Sequence, residues 1–369
     1  MKRSWRPVVA GLALSLSLAG CSSVGGTTTP SGTSNATAGT EASGGEARKL
    51  NIDVEADSLK DKTICFNFQA LETEFWAAGK TAISEALDRA GAKVLEFNSN
   101  EDANRQLEQV KDCITQKADG IIFIPQDGAS ADTVIATANA ANIPVVAFNR
   151  PPASDTGKAI VVVADNRDIA KQTVEYMVEE ARKFQEANGG KKVQPLIMVG
   201  DLADVNAVDR RDGYYDAVNA ASEVFEKTIE VETKWDAQTA QQNLQSALQA
   251  NPNVDMIFTS SDFMYPQIQA VLSPLGKWVK KGEEGHVILG GLDGDNRACN
   301  LMREELVDAT GVQDLLFEAE SSITEITTAI DANETAPDKV VEDAGFALTL
   351  GNMEERETDM WGCVIDPPQ

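Results

Sequence analysis

The stretch DGIIFIPQDGASADTVIATANAANIPVVAF, residues 119–148, carries the pattern that decides the fold. It begins with an almost unbroken apolar run, continues through a segment of helical periodicity at residues 129–142, and ends in a second apolar run. Short apolar runs rich in β-branched residues are typical of strands that are buried on both faces. A strand, a helix and a second strand in this order predict a β-α-β unit with two parallel strands.

The same alternation continues on both sides of this unit. Further helices are predicted at residues 74–90, 101–117 and 167–187. The remaining apolar runs are TICFNFQ (63–69), KVLEFN (93–98), AIVVVAD (159–165), PLIMVGD (195–201), KTIEVET (227–233), VDMIFTSSD (254–262) and HVILGGLDGD (286–295). The chain also exceeds the usual length of a single domain. The pattern therefore predicts an α/β protein with two doubly wound parallel-sheet lobes.

The N-terminal residues differ in composition from the rest of the chain. Basic residues in MKRSWR (1–6) precede a short apolar run, which predicts a signal peptide over residues 1–20. LAGC (18–21) has the form of a bacterial lipobox, in which Cys21 receives the lipid; an ordinary signal peptide with an incidental cysteine is the alternative. Residues 21–49 are rich in Ser, Thr, Gly and Ala, which predicts a flexible tether.

Charge and cysteine content restrict the classes of function. The formal net charge is −26, so nucleic acids and anionic lipid headgroups are poor partners. Outside the cytoplasm, the four cysteines that follow the tether indicate disulfides, and three pairings are possible. These cysteines are Cys65, Cys113, Cys299 and Cys363. None of them forms a CxxC pair and the chain has a single histidine, which argues against a zinc site.

The segments that directly follow the predicted strands are polar and aromatic. In open parallel sheets, ligands bind beyond the carboxyl ends of the strands, so these segments are the candidate site. They are ETEFW (72–76), FNRPP (148–152), ADNRD (164–168), GDLADVN (200–206), SSDFMY (260–265) and GLDGDN (291–296). The chain contains neither GxGxxG nor GxxxxGK[ST], the loops that cradle phosphates, so no nucleotide cofactor is expected.

Patterns typical of enzymes and of metal sites are weak in this chain. A serine hydrolase needs a GxSxG elbow and a histidine base. The sequence has no GxSxG, and its single histidine, His286, precedes a strand and so lies at the end of the sheet away from the predicted site. Asp262 and Asp293 end strands and could serve glycoside hydrolysis, although aspartate there is also a common helix N-cap. DGDN (293–296) lacks the spacing of an EF-hand loop. Neither an enzyme nor a metal site is expected.

Two adjacent aromatic residues, Phe75 and Trp76, lie in the first helical turn after the first strand. Neighbours on a helix point about 100° apart, so one can face a cleft while the other packs in the core; packing of both in the core or at a hinge is the alternative. The C–H face of a sugar ring lies well on an aromatic plate, and Asp, Asn and Arg exchange hydrogen bonds with hydroxyls. These residues predict a site for a polyhydroxylated ligand.

The order of motifs resembles that of the ribose- and galactose-type periplasmic sugar-binding proteins of ABC importers, which are relatives of the ligand domain of the LacI repressor. The likeness covers about residues 60–350 and depends on seven motifs in sequence. They are TEFW (73–76), ANIPVVAFNR (141–150), VVADN (162–166), RRDGYYDAV (210–218), NPNVDMIFTSSD (251–262), ILGGLDGD (288–295) and DATGVQD (308–314). The resemblance implies a type I periplasmic binding protein, with two lobes joined by a three-stranded hinge.

The resemblance also implies which residues contact the ligand. They are Thr73, Phe75, Trp76, Asn149, Arg150, Asn206, Asp209, Arg210, Trp235, Ser261, Asp262, Asp293 and Gln313, of which Asn206, Asp209 and Arg210 are alternatives within one cross-lobe segment. Thr73 and Ser261 stand where ribose binders have asparagine, and Asn149 stands where they have a carboxylate. An amide at position 149 weakens a charge-assisted hydrogen bond and adds a donor, which favours another pentose, a hexose or a polyol over ribose.

The family's chain crosses between its lobes three times, which divides this sequence. By matching motifs, the crossings fall near Asp165, Gln313 and Ala347. The N-terminal lobe then comprises residues 50–165 and 314–347, and the C-terminal lobe comprises residues 166–313 and 348–369. This division favours one pairing of cysteines, Cys65 with Cys113 and Cys299 with Cys363, because each bond then stays within one lobe.

Two segments extend beyond the family pattern. They are MYPQIQAVLSPLGKWVKKGEEGH (264–286) and NMEERETDMWGCVIDPPQ (352–369). Trp278 and Trp361 lie in these additions, so the resemblance implies no ligand contact for either tryptophan.

Together these features predict a lipid-anchored, monomeric solute-binding protein on the extracytoplasmic face of the cell membrane, in a periplasm or at a cell surface. Its lobes would close on a monosaccharide or polyol, and the closed form would dock on an ABC permease. The alternatives are a sensor that presents the ligand to a chemoreceptor or kinase, and a secreted carbohydrate-active enzyme. The lipobox and the missing basic head exclude a LacI-type repressor.

Overall fold

The computed structural model describes residues 52–154 and 157–365. The predicted signal peptide (1–20), Cys21 and the tether (21–49) lie outside the described residues. Within the described ranges, no helix is both long and apolar enough to cross a bilayer. Strands and helices alternate along this part of the chain, and the predicted α/β class is confirmed.

The described chain contains twelve strands and eleven α-helices. The strands are β1 Thr63–Phe68, β2 Lys93–Asn98, β3 Gly120–Phe123, β4 Val145–Phe148, β5 Ile160–Ala164, β6 Pro195–Val199, β7 Ile229–Glu232, β8 Met256–Thr259, β9 Ile288–Asp293, β10 Ala309–Val312, β11 Lys339–Asp343 and β12 Phe346–Thr349. The helices are α1 Glu74–Arg89, α2 Ala103–Thr115, α3 Gly128–Ala140, α4 Asn166–Ala187, α5 Val205–Ala220, α6 Ala237–Ala250, α7 Tyr265–Leu272, α8 Asn296–Arg303, α9 Leu315–Asp331, α10 Met353–Arg356 and α11 Trp361–Val364.

The first sheet has six parallel strands in the order β11-β5-β4-β3-β1-β2. Its central strands are buried on both faces, as the unbroken apolar runs predict. In β3, Ile122 packs in the cluster that contains α1 and α9, whereas Ile121 and Phe123 pack in the cluster that contains α2 and α3. Successive side chains of a strand point to opposite faces, so two layers of helices are needed to cover them.

The second sheet repeats this order with β12-β10-β9-β8-β6-β7. Its strands are parallel except β12, which pairs antiparallel with β10. Helices α4 and α5 pack together on the sheet, and α6 packs on α7 and β7. We call the first sheet with its helices the first lobe, and the second sheet with its helices the second lobe. In each lobe the strand order reverses beside the first strand, which is where open α/β sheets bind ligands.

Aspartate caps most helices that follow a strand. A side-chain oxygen of the N-cap residue accepts a hydrogen bond from a backbone N–H of the first turn, which satisfies an otherwise unpaired donor and complements the helix dipole. These N-caps are Asp102, Asp127, Asp165, Asp204, Asp236, Asp295 and Asp314. Much of the aspartate at the strand ends therefore has a structural role in starting helices.

Three connections join the lobes. β5 continues into α4 on the second sheet, β10 continues into α9 on the first, and β11 continues into β12 on the second. In the third connection Gly345 has a φ of +51° and packs against Ile169 and the carbonyl oxygen of Val312. Asp343 links the second and third connections, because its carboxylate accepts hydrogen bonds from the backbone N–H of Asp314 (2.6 Å) and of Gly345 (2.8 Å).

Two disulfides are present, and each lies within one lobe. Cys65–Cys113 joins β1 to α2 in the first lobe, and Cys299–Cys363 joins α8 to α11 in the second. This is the pairing that the sequence favours. Residues 353–365, most of the extension beyond the family pattern, fold as two short helices, of which α11 packs against α8.

Candidate functional site

A cavity of about 460 Å³ lies between the lobes at the carboxyl ends of the strands. Eleven of the thirteen residues predicted to contact a ligand line it. They are Thr73, Phe75, Trp76, Asn149, Arg150, Asn206, Arg210, Trp235, Ser261, Asp293 and Gln313. They come from the ends of strands in both lobes, so the cavity is complete only when the lobes face each other.

The other two predicted residues, Asp209 and Asp262, are absent from the lining. Asp209 is half-buried on α5, where burial and then the charge of Asp212 raise the pKa of its carboxyl. Asp262 is completely buried behind the cavity, and its carboxylate accepts hydrogen bonds from the backbone N–H of Gly294 (2.8 Å) and from Thr310 Oγ1 (2.8 Å). Burial and the nearby carboxylate of Asp293 raise the pKa of Asp262 to about 7.

Both aromatic residues of the first helical turn contribute to the cavity. Thr73 caps α1 by accepting a hydrogen bond from the Trp76 N–H (3.2 Å), which fixes the first turn at the end of the loop after β1. The rings of Phe75 and Trp76 meet edge to face with centroids 5.1 Å apart. The guanidinium of Arg150 lies over the indole of Trp76, 5.1 Å from its centroid. The two aromatics form one wall and neither is purely a core residue.

The second lobe supplies a matching aromatic wall. Trp235 follows β7 with a φ of +56°, and its ring lies over Gly200 at the end of β6, where a Cβ would come within 2.1 Å of the indole. The guanidinium of Arg210 lies 5.9 Å from the centroid of this indole, and Phe263 packs beside it at 6.4 Å. Each lobe thus presents a tryptophan and an arginine to the cavity.

A buried ion pair crosses between the lobes at the cavity. Arg150 Nε of the first lobe lies 3.1 Å from Asp204 Oδ2 of the second, and both side chains are buried. Arg150 Nη1 also donates to the carbonyl oxygen of Gln126 (2.8 Å) and to Gln69 Oε1 (3.2 Å). Trp235 Nε1 donates to Asp204 Oδ2 at 3.1 Å. Asp204 therefore neutralises Arg150, orients the second tryptophan and caps α5.

Asp293, the last residue of β9, is the hub of the second lobe's hydrogen bonds. Its Oδ1 accepts from Arg210 Nη1 and from Gln313 Nε2, each at 2.9 Å, and its Oδ2 accepts from Ser261 Oγ. The backbone of Asp293 has a φ of +140°, a region that favours glycine. Such a conformation persists only where its surroundings hold it, and it is typical of functional sites.

Asn149 shows how an amide takes the place of the family's carboxylate. Its Nδ2 donates to Gln313 Oε1 (2.9 Å) and to the carboxyl of Glu318 (2.9 Å). The added donor is therefore used inside the protein. Glu318 is completely buried on α9, and burial raises the pKa of its carboxyl well above the usual range. Asn206 Nδ2 donates to the carbonyl oxygen of Asn149 (3.0 Å), a second polar contact between the lobes.

Two acceptors at the cavity have no hydrogen-bond partner among the residues that the structure describes. They are Gln126 Oε1 and Asn206 Oδ1, both in buried environments. A buried acceptor without a donor costs free energy. Ligand hydroxyl groups, which donate as well as accept, are suited to satisfy these two oxygens.

Sequence reasoning missed several lining residues, of which Gln69, Gln126, Asp204 and Phe263 make the contacts described above. Gln69 ends the quoted run TICFNFQ, and Asp204 and Phe263 lie inside the quoted strand-end segments. The rule that ligands bind beyond strand ends could therefore have found these three residues. Gln126 lies in the loop between β3 and α3, which is outside the polar strand-end segments of the candidate site.

The comparisons with known proteins agree on one family. A model described as a periplasmic binding protein domain matches residues 64–334. The ribose import binding protein of Bacillus subtilis (strain 168) is 24% identical over 255 residues, which cover 69% of this chain and 77% of that protein. The D-apiose import binding protein of Actinobacillus succinogenes is 24% identical over 273 residues, which cover 73% of this chain and 82% of that protein.

Solved structures share the fold. An ABC transporter solute-binding protein from Mycobacterium smegmatis with bound glycerol has a TM-score of 0.68 and 23% identity, and the match covers 79% of this chain and 96% of that chain. A solute-binding protein from Bacillus halodurans with bound myo-inositol has a TM-score of 0.68 and 22% identity, covering 81% of this chain and 98% of that chain. At these identities the likeness establishes a common architecture of two lobes.

Proposed function

The chain belongs to the periplasmic binding protein family, and from this premise we propose that it captures an uncharged monosaccharide or polyol between its lobes and delivers it to an ABC import permease. Its relatives are substrate-binding proteins, and the chain is a binding protein and not an enzyme. The observation that carries the proposal is the pairing of each cavity arginine with an aspartate and a tryptophan.

The charge balance of the cavity favours a neutral ligand. Arg150 is paired with Asp204, and Arg210 is paired with Asp293, so neither guanidinium is left to attract an anion. Lys234 also lines the cavity but is exposed. A carboxylate or phosphate on the ligand would have to compete with buried ion pairs, and displacing one partner leaves an uncompensated buried charge.

The two tryptophans favour a ligand with a ring or a compact polyol. Trp76 and Trp235 stand on opposite lobes, and an apolar C–H face can lie on either indole while the hydroxyl edge meets the polar groups. The relatives and structural neighbours bind ligands of this kind, among them ribose, apiose, allose and myo-inositol. Their variety supports the class of ligand and selects no single sugar.

We propose that the lobes close as a hinged trap. The proposed N-terminal lobe comprises residues 50–165 and 314–347, and the proposed C-terminal lobe comprises residues 166–313 and 348–369. The membership of the strands in two sheets supports this division, and β12, which begins at Phe346 in the second sheet, favours a last boundary just before that residue. The Arg150–Asp204 and Asn206–Asn149 contacts span the cavity and would break on opening.

The proposed location is the extracytoplasmic face of the cell membrane. LAGC (18–21) supports lipidation of Cys21, and residues 21–49 would tether a monomeric body to that lipid. The relatives are import proteins, which favours delivery to a permease over presentation to a receptor.

A ligand panel tests the proposal. We expect at least one of D-ribose, D-xylose, D-allose, myo-inositol and glycerol to raise the melting temperature, because a ligand of the native state stabilises it by mass action. We expect D-ribose 5-phosphate and D-gluconate to give no shift. Calorimetry should give a Kd in the micromolar range, about −8 kcal/mol. A protein that responds only to the anionic compounds, or to none of the five neutral compounds, contradicts the proposal.

A pair of variants tests the site itself. Asp293→Asn should weaken binding of the best panel sugar by at least about tenfold, because it removes the charge from the hydrogen bonds with Arg210 and with the ligand. Asp209→Asn is the control, since Asp209 is a predicted residue outside the cavity lining. Equal affinities for the two variants would show that the cavity is not the binding site.

A further inference from the structure

Residues 353–365, which we call the strap, lie outside the family pattern and contact residues that line the cavity. The strap is bound to the start of α8 by backbone and side-chain hydrogen bonds: the Gly362 N–H donates to the carbonyl oxygen of Gly294 (3.1 Å), and Asn296 Nδ2 donates to the carbonyl oxygen of Gly362 (2.9 Å). The disulfide from Cys363 to Cys299 closes the same contact covalently.

The approach of the strap to α8 requires glycine at position 362. A Cβ there would lie 2.2 Å from the carbonyl carbon of Asp295 and 2.4 Å from the carbonyl oxygen of Gly294. Both are backbone atoms that cannot rotate away. The strap is therefore fitted against the loop that follows β9, directly after Asp293.

Trp361 connects this loop to the other lobe. Its indole is 4% exposed, and its Nε1 donates to the carbonyl oxygen of Asp293 at 3.0 Å. Its ring also meets the ring of Phe75, with centroids 5.9 Å apart and planes at 73°. Phe75 belongs to the first lobe and lines the cavity beside Trp76. One side chain thus contacts the second lobe's ligand-facing carboxylate residue and the first lobe's aromatic wall.

We propose that the strap is a working part of the binding site, with Trp361 as a positioning residue that the Cys299–Cys363 disulfide holds in place. Trp361 stabilises the unusual backbone of Asp293, so that its carboxylate is preorganised for the ligand. Through Phe75 it also favours the closed arrangement of the lobes. This inference rests on the proposed function and extends it to residues that the family pattern does not assign.

Two substitutions at Trp361 separate its two contacts. Trp361→Phe keeps a ring against Phe75 but removes the hydrogen bond to Asp293, and we expect the Kd for the best panel sugar to rise about fivefold. Trp361→Ala removes both contacts, and we expect a rise of about tenfold or more with a faster dissociation rate. Trp278→Phe is the matched control, because Trp278 lies in the other extension and packs on the core away from the cavity lining.

Removal of each disulfide in turn gives a second matched pair of variants. Removing Cys299–Cys363 with serine at both positions should raise the Kd about fivefold, whereas removing Cys65–Cys113 in the same way should lower the melting temperature and leave the Kd unchanged. A purely structural strap predicts the opposite: the Trp361 and Cys299–Cys363 variants would lose melting temperature equally with and without ligand, and their Kd would match that of the wild type. That result overturns the inference.

A ligand-free measurement distinguishes failure of the inference from failure of the proposed function. If the wild type binds no panel sugar, the proposed function fails, and small-angle scattering of the ligand-free proteins still tests the strap. We then expect a larger radius of gyration for Trp361→Ala than for the wild type and for Trp278→Phe, because the contact with Phe75 is lost. An unchanged radius would overturn the inference. If the wild type binds a sugar and the strap variants bind it equally well, only the inference fails.

Discussion

At the scale of single residues, the family likeness identified positions but not their partners. Asn149 was predicted from its place in the motif, and its amide was expected to offer the ligand an extra donor. In the structure that donor is occupied by Gln313 and Glu318. Glu318 lies 169 positions away in sequence, and no local pattern connects it with Asn149. Which partner occupies a buried polar group depends on tertiary packing, so the sequence alone could not supply it.

Asp204 is the cavity residue whose role is hardest to predict from the sequence. It has the position of an ordinary helix N-cap, and its role with Arg150 depends on the approach of the other lobe. Asp262 is the reverse case: its strand-end position predicts a ligand contact, whereas in the structure its carboxylate accepts hydrogen bonds from the loop after β9 and from Thr310. Strand-end chemistry therefore predicts the location of a site better than the role of each member.

Substitution of Asp204 tests the charge balance of the cavity. Asp204→Asn removes the counter-charge of a buried arginine, and we expect affinity for the best neutral sugar to fall about tenfold. We also expect a measurable response to D-ribose 5-phosphate, because Arg150 becomes available to an anion. Asp201→Asn, a change to another lining aspartate outside the ion pair, is the control. Calorimetry with both ligands would contradict the argument if the two variants behaved alike.

At the scale of elements, the sequence predicts the strands that consist of long apolar runs and misses the strands that have few large apolar residues. β1 to β9 all correspond to apolar runs read from the sequence, and the strands inside each sheet carry the longest buried runs because helices cover both of their faces. β10, β11 and β12 were not predicted as strands. β10 (ATGV) and β12 (FALT) are four residues long, and β11 (KVVED) lies at the edge of the first sheet with most of its side chains exposed. None of these three segments has the unbroken run of large apolar residues seen in β3, so tertiary pairing determines them.

A glycine in the third connection gives a test at this scale. Gly345→Ala should lower the free energy of unfolding by about 3 kcal/mol, for two reasons. A Cβ would overlap with Ile169 and with the carbonyl oxygen of Val312, and alanine is unfavourable at a positive φ. Gly189→Ala is the control: Gly189 has a φ of +66°, and a Cβ there would meet no atom of the described chain within 4 Å, so only about 1 kcal/mol is expected. Urea unfolding measures both, and equal losses would mean that the connection tolerates the added atom.

At the scale of the whole molecule, several carboxyl groups of this acidic chain are buried. Asp262, Asp295 and Glu318 are completely buried, and burial raises the pKa of each. In the unfolded chain these groups titrate near pH 4. Between pH 4 and 7 these three groups therefore hold more protons in the native state than in the unfolded state, and their contribution to the free energy of unfolding falls as the pH rises.

This linkage gives a prediction for stability against pH. The pKa of Asp262 changes from about 4 in the unfolded chain to about 7 in the native state. This change alone would lower the free energy of unfolding by up to about 4 kcal/mol as the pH rises and Asp262 loses its proton. Urea unfolding at pH 5, 6, 7 and 8 should show stability decreasing with pH, and Asp262→Asn should flatten the curve. Asp209→Asn, at a half-buried position, should flatten it less. A wild type most stable at pH 8 would contradict the assignment.

The placement of the two disulfides has a consequence for how the protein is made. A polypeptide emerges from the ribosome with its N-terminus first, so Cys65 can meet Cys113 while most of the chain is still unmade. Cys299 must wait for Cys363, and Gly362 and Trp361 arrive with it. The first-lobe disulfide can therefore form before the cysteine pair of the second lobe is complete. Sugar-binding competence should be among the last properties that the nascent chain acquires.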